Sequence, residues 1–200
     1  MAYFFTSESV GGGHPDKLAD QISDSILDNF LAFDPKSKVA CETLVTTGKS
    51  IIAGEVKSNV NIDIEKIVRE TINKVGYTKE EYKFSGNSCD IISLIHEQSK
   101  DINRGVDREI NEDQGAGDQG IMFGYACDET EVLMPAPIYY SHKILELMAH
   151  DRKKGIADKL EPDSKSQITM KYENGKPVKV TSVVISTQHS SSVNQAQVKE

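Results

Sequence analysis

Leu18, Ile22, Ile26 and Phe30 recur every fourth residue, the spacing of a helix that buries one apolar stripe. Pro15 suits the first helical position and Asp34-Pro35 ends the pattern, so a helix is predicted between them. Two strand-like runs follow, Lys38 to Thr46 and Ser50 to Lys57, separated by Thr47-Gly48-Lys49. A second amphipathic helix is predicted from about Asp63 to Val75, with Ile64, Ile67, Val68, Ile72 and Val75 on one stripe and Gly76 just past its end. Cys89, Ile91, Ser93 and Ile95 then alternate as a strand. With a strand-like opening, the order strand, helix, hairpin, helix, strand is α+β rather than a regular βαβ repeat.

From Gln98 to Gln119 the pattern breaks into polar and charged residues, with glycines at 105, 115 and 117. Such a stretch inside a compact domain is usually a lid, a binding loop or a linker. Gly120 to Ala126 reads as a buried strand and Pro137 to Lys153 as a third helix ending at Gly155. Gln167 to Glu173 and Lys176 to Thr187 flank Asn174-Gly175, a strong hairpin signal. Ser190-Ser191-Ser192 offers an N-cap to a helix of barely two turns, which is marginal alone. The expected division is one unit at 1–97, a gating loop or linker at 98–119 and a second unit at 120–200. That second unit reads as cut off, because its two long amphipathic strands have no second helix to cover them. No internal repeat is visible at residue level.

Composition removes several classes of function. The chain has 23 Lys and Arg against 31 Asp and Glu, a net charge of −8, and no Trp. No basic block is present, and phosphate neutralisation along a nucleic acid needs one. The apolar runs are a few residues long, whereas a spanning helix needs about 20. The start, Met1 to Glu8, lacks a basic segment and meets a carboxylate too early for an export signal. A cytoplasmic location without membrane contact is expected. Cys41, Cys89 and Cys127 are widely spaced and odd in number, which fits small buried hydrophobes in a reducing compartment.

Gly11-Gly12-Gly13-His14-Pro15-Asp16-Lys17 is the first place for chemistry. A glycine run opening a helix presents unpaired N–H groups and the positive end of the helix dipole. That outlines an anion site, to which His14 and Lys17 add hydrogen-bonding or positive character. Asp16 beside an anion suits a bridging Mg²⁺, which takes one or two carboxylates plus phosphate oxygens. The alternative is a flexible loop with an acid stabilising a helix start. If the hairpin turn is Gly48-Lys49, Glu42 faces Glu55 directly, a like-charge pair that costs roughly half a kcal/mol. A bound cation, a substrate ammonium or simple exposure would offset it, and a one-residue slip would remove it. Gly115 to Gly120 surrounds Asp118 with small residues that permit close approach of a ligand. Asp163-Ser164-Lys165 reads as a solvated turn, and His96, His142, His150 and His189 lack metal-ligand spacing and read as structural or exposed.

Taken in order, these motifs resemble the S-adenosylmethionine synthetase (methionine adenosyltransferase) family. The resemblance is carried by Phe5 to Val10 with Gly13 to Lys17, Asp20 to Asp24, Ala40 to Thr43, Gly54 to Val56 and Asp101 to Val106. It continues through Gln114 to Gly120, Phe123 to Ala126, Leu133 to Pro135, Asp163 to Gln167 and Ser186 to His189.

The resemblance implies repeated mixed-sheet α+β units with helices on one face, in a pseudo-threefold arrangement whose last unit is missing here. It implies a homodimer with active sites at the subunit interface, and a dimer of dimers. The implied reaction joins ATP and L-methionine: the sulfur attacks C5′, and the expelled triphosphate is hydrolysed to phosphate and diphosphate. His14 and Lys165 would meet the triphosphate, with Asp163 and Ser164 also at the ATP. Asp16 would hold Mg²⁺, and Glu42 would hold K⁺. Glu55, Gln98 and Asp118 would line the methionine site, and about Gln98 to Arg108 would form a gate. The alternative is a truncated, non-catalytic fragment that binds nucleotide or a full-length partner. Two departures stand out: Gly11-Gly12 where the family usually has Ser-Glu, and the absence of the family's later basic segments.

Overall fold

The computed structural model describes residues 1–97 and 119–199. Strand β1 (Ala2–Val10) leads into helix α1 (Pro15–Phe33), whose Leu18, Ile22, Ile26 and Phe30 are all buried, as their spacing requires. The hairpin β2 (Lys38–Thr46) and β3 (Lys49–Lys57) follows, then α2 (Ile64–Val75), a single 3₁₀ turn (Glu80–Tyr82) and β4 (Asp90–Glu97). Beyond the second described segment's start come α3 (Ala136–Lys153), the hairpin β5 (Leu160–Glu173) and β6 (Lys176–His189), and the short α4 (Gln195–Lys199). The order helix, hairpin, helix thus occurs twice, a repeat of architecture that the side chains do not advertise.

The strands form two sheets, β2-β3-β4 and β1-β5-β6. In the first, β2 and β3 are antiparallel while β3 and β4 are parallel; the second is antiparallel throughout. The main core packs α1 and α2 on the first sheet, with Ile52, Ile67, Val68, Ile72, Tyr77, Phe84 and Cys89 among its buried members. The second sheet has a smaller core of Ala136, Ile168, Met170 and Tyr172 beneath α3. The first strand of the chain therefore belongs to the second sheet, and the chain crosses between layers just before α1. Arg152, late in α3, ties the layers together by donating to the Val75 carbonyl at the end of α2 (2.9 Å).

Three local expectations are corrected. Gly120 to Ala126 is not a strand, and Ile121, Met122, Phe123 and Tyr125 are exposed; among the described residues no strand pairs with this segment, so its backbone has no ladder to join. Asp163-Ser164-Lys165 is not a turn but lies inside β5, where Lys165 pairs with Val10 at the end of β1 and Ser164 and Lys165 pair with β6. The cap of α4 is Asn194 rather than a serine: Asn194 and Gln197 exchange backbone-to-side-chain hydrogen bonds at 3.0 and 3.1 Å, a reciprocal capping box. Among the described residues no helix is long and apolar enough to cross a membrane. All three cysteines are free, and burial pushes the Cys41 and Cys89 thiols up from their ordinary range.

Candidate active site

The candidate site residues that the structure describes fall in two places, at the seam where the chain crosses between layers and on the outer face of the first sheet. At the seam, β1 and β5 run in register with Val10 opposite Lys165, and the Gly11 N–H extends the ladder by donating to the Ser164 carbonyl (2.7 Å). A Cβ on Gly13 would run into the Pro162 carbonyl, so only glycine lets the loop lie this close to β5. All three glycine carbonyls are engaged by the protein. The Gly11 carbonyl accepts from the His14 N–H (3.0 Å), that of Gly12 from Gln21 Nε2 (2.8 Å), and that of Gly13 from the buried Tyr77 hydroxyl (2.6 Å). In a planar trans peptide the N–H points opposite to the carbonyl. The Gly12 and Gly13 N–H groups therefore face away from these supports, next to the positive end of α1.

His14 caps α1: its backbone is extended (φ −63°, ψ 140°) and Nδ1 accepts from the Asp16 N–H at 3.3 Å. The His14 side chain is only 16% exposed, whereas that of Asp16, 3.8 Å from Nδ1, is 89% exposed and reaches into solvent. The alternation of β5 puts Asp163 and Lys165 on one side of the strand. Burial raises the Asp163 carboxyl above its usual value, and the neighbouring charges of His14 and Lys165 pull it back down. Lys165 Nζ lies 3.7 Å from Glu8 Oε1. A cleft of about 310 Å³ opens beside this group, lined by Gly13, Leu18, Thr47, Tyr82, Asp163 and Gln188. Lys17 turns elsewhere: Nζ donates to the Val10 carbonyl (2.8 Å), near His142, whose Nδ1 pairs with Ser9 Oγ at 2.6 Å. Burial, then the Lys17 charge, lowers the His142 pKa.

On the first sheet the expected register is wrong by one turn position. The turn is Thr47-Gly48, because Lys49 already pairs with Thr46 and is held at the strand start by Asp90 (Nζ to Oδ2, 2.7 Å). Glu42 therefore faces Ala53, and Glu55 faces Ala40. The partner shifts by two residues, so the face is unchanged: Glu42 and Glu55 are diagonal neighbours rather than a direct pair. Gly54 has φ 145°, and a Cβ there would run into the Ala40 carbonyl. On β4, His96 stands directly beside Glu55 in the parallel register.

The seam and the glutamates do not meet within one chain. Thr43, pointing inward from β2, hydrogen-bonds Ser23 of α1 (2.8 Å), while the neighbouring Glu42 points to the opposite, outer face. The sheet stands between the two sets. Gln98, Asp118 and the expected gate at 98–108 lie outside the described residues. Sequence reasoning missed Tyr77 and Gln21, because their hydrogen bonds to the glycine loop carry no local signal; the Tyr77 partner is 64 residues away.

Two family models match the chain: "S-adenosylmethionine synthetase, N-terminal domain" over residues 2–100 and "S-adenosylmethionine synthetase, central domain" over residues 113–200. The chain belongs to the S-adenosylmethionine synthetase family. Curated relatives named S-adenosylmethionine synthase agree. That of Phocaeicola vulgatus is 59% identical over 198 residues, covering 98% of this chain and 46% of the relative. That of Flavobacterium johnsoniae is 61% identical over 191 residues, 94% of this chain and 46% of the relative. That of Nitratidesulfovibrio vulgaris is 56% identical over 196 residues, 98% and 50%. The chain spans about half the length of the synthetase relatives it matches.

Proposed function

We propose that this chain takes part in forming S-adenosylmethionine from ATP and L-methionine, with the seam holding the triphosphate and the outer sheet face holding the amino acid. The observation that carries the reading is the β1–β5 register, which sets the glycine loop, His14, Asp163 and Lys165 around one edge. A thioether sulfur has no proton to lose, so attack on C5′ calls for no general base. Catalysis then rests on holding the reactants in line and on stabilising charge that develops on the leaving triphosphate. The Gly12 and Gly13 N–H groups and the helix dipole supply fixed positive potential for that charge, and the Lys165 ammonium adds a mobile one. His14, held as the cap of α1, donates to a phosphate oxygen from the remaining ring nitrogen. Asp163 lines the nucleoside side of the cleft.

Among the described residues no three His, Cys, Asp or Glu side chains converge as a metal centre would require. Mg²⁺ nonetheless fits at Asp16, because this ion is commonly held by one carboxylate together with substrate phosphates, and Asp16 is free to reach outward. There it would neutralise triphosphate charge. K⁺ would be held by the exposed carboxylate of Glu42. Since the first sheet separates the seam from Glu42 and Glu55, a homodimer in which one chain's sheet face meets its partner's seam is the arrangement that completes the site. The test is S-adenosylmethionine formation by this chain with MgATP, methionine and K⁺. Turnover that disappears in Lys165→Ala supports the reading. Tripolyphosphate binding without turnover would instead assign to the chain the role of a binding fragment, and failure to bind tripolyphosphate would overturn the seam as a phosphate site.

A further inference from the structure

The outer face of the first sheet is ordered in rows across the three strands. Leu44, Ile51 and Ile92 form one row, Glu42, Ala53 and Leu94 the next, and Ala40, Glu55 and His96 the third. The first row is apolar; the third presents a carboxylate and an imidazole side by side, with His96 Nε2 3.3 Å from Glu55 Oε1. Both side chains are open to solvent, 66% exposed for His96 and 32% for Glu55. Lys38 opposite Lys57 makes up the row beyond. An α-amino acid carries an ammonium and a carboxylate on one carbon, with its side chain leaving in a third direction. A neighbouring acceptor and donor, backed on one side by small and apolar surface, is complementary to that arrangement.

We propose that His96 is a specificity residue of the amino-acid site, reading the α-carboxylate while Glu55 takes the α-ammonium; this rests on the proposed function of the outer sheet face as the amino-acid site. Without ligand the two side chains satisfy each other. When the amino acid enters, Glu55 exchanges the imidazole for the ligand's ammonium and the His96 ring N–H exchanges the Glu55 carboxylate for the ligand's, so each keeps a hydrogen-bond partner. The thioether chain then runs toward Ala53 and Leu94, the next pair on the same face.

The experiment is calorimetric binding of L-methionine and of L-methioninamide, in which the carboxylate is replaced by an amide, to the whole chain and its variants. His96→Ala is expected to weaken L-methionine about tenfold, the size of one lost charge-assisted hydrogen bond, and to leave L-methioninamide unchanged. His96→Arg, which keeps a carboxylate donor, is expected to restore most of the L-methionine affinity. Glu55→Gln is expected to weaken both ligands. Equal loss of both ligands in His96→Ala, or no loss of either, overturns the role of His96 while leaving Glu55 in place. Absence of L-methionine binding in the unchanged chain removes the amino-acid site itself and the role of His96 with it.

Discussion

The seam and the outer sheet face are built by opposite means. At the seam the backbone does the positioning: a strand ladder, a helix cap and three engaged glycine carbonyls fix the loop before any ligand arrives. On the outer face, alternation along β2, β3 and β4 aims Glu42, Glu55 and His96 outward, where Glu42 and His96 stay exposed and Glu55 is half-buried beside the His96 imidazole. A transferring phosphate chain needs prepaid electrostatics in a fixed geometry, whereas an amino acid brings its own charges and can order the side chains that read it. The contrast predicts that backbone changes injure the seam and that side-chain changes suffice to alter the outer face.

The largest effect is expected of Lys165→Ala, which removes the side-chain cation that the proposal adds to the seam's backbone frame to face the leaving triphosphate. A loss of about 10²–10³ in turnover is expected, the scale of one transition-state contact, with little change in melting temperature because Lys165 is exposed. Gly54→Ala comes next, since its positive φ and the nearby Ala40 carbonyl both oppose a Cβ. It should destabilise the fold by about 2–3 kcal/mol in denaturant unfolding. Tyr77→Phe keeps the ring but leaves the Gly13 carbonyl without its donor. About 1–3 kcal/mol of stability should be lost, together with tripolyphosphate affinity. Loss of stability with affinity intact would show that the loop is not held from beneath.

A smaller effect concerns pH. The folded-state pKa of His142 lies below its ordinary 6.5 because burial disfavours the charged form. The unfolded chain therefore binds the proton first, and stability falls as pH drops below about 6.5 toward the lower folded value. Replacing His142 by Asn should flatten that part of the stability–pH curve. The Asp163 shift has the other sign: with its pKa raised in the fold, its unfavourable contribution is present above the folded value and relieved as pH falls toward 3.8. The smallest expected effect is Gly12→Glu. A Cβ at Gly12 meets nothing within 4 Å, so stability should change by less than about 0.5 kcal/mol. A carboxylate there should alter Mg²⁺-dependent nucleotide affinity, and an unchanged affinity would show that Gly11-Gly12 is a neutral departure from the family pattern.

The elements with local period were legible from sequence. Leu18, Ile22, Ile26 and Phe30 had one face to bury, and the structure buries it; Ile91 and Ile95 likewise point inward from β4. What depended on distant pairing was not. Nothing near Val10 announces that it lies opposite Lys165, and a polar run such as Asp163 to Lys165 looks like a turn until the strand beside it is known. The hairpin was found but its turn was misplaced, because the Lys49–Asp90 contact that settles it comes from a strand far along the chain. Ile121 to Tyr125 has strand composition but pairs with no strand among the described residues, so composition misled. The candidate site residues stood out as motifs; that the seam and the glutamates lie on opposite sides of one sheet did not.

One titration separates these two regions most directly: tripolyphosphate, with Mg²⁺, against the unchanged chain, Lys165→Ala and Glu55→Gln. Saturable binding that weakens at least about tenfold in Lys165→Ala and is untouched in Glu55→Gln is the predicted result. Equal weakening in both variants, or none in Lys165→Ala, would contradict a phosphate site built at the β1–β5 seam.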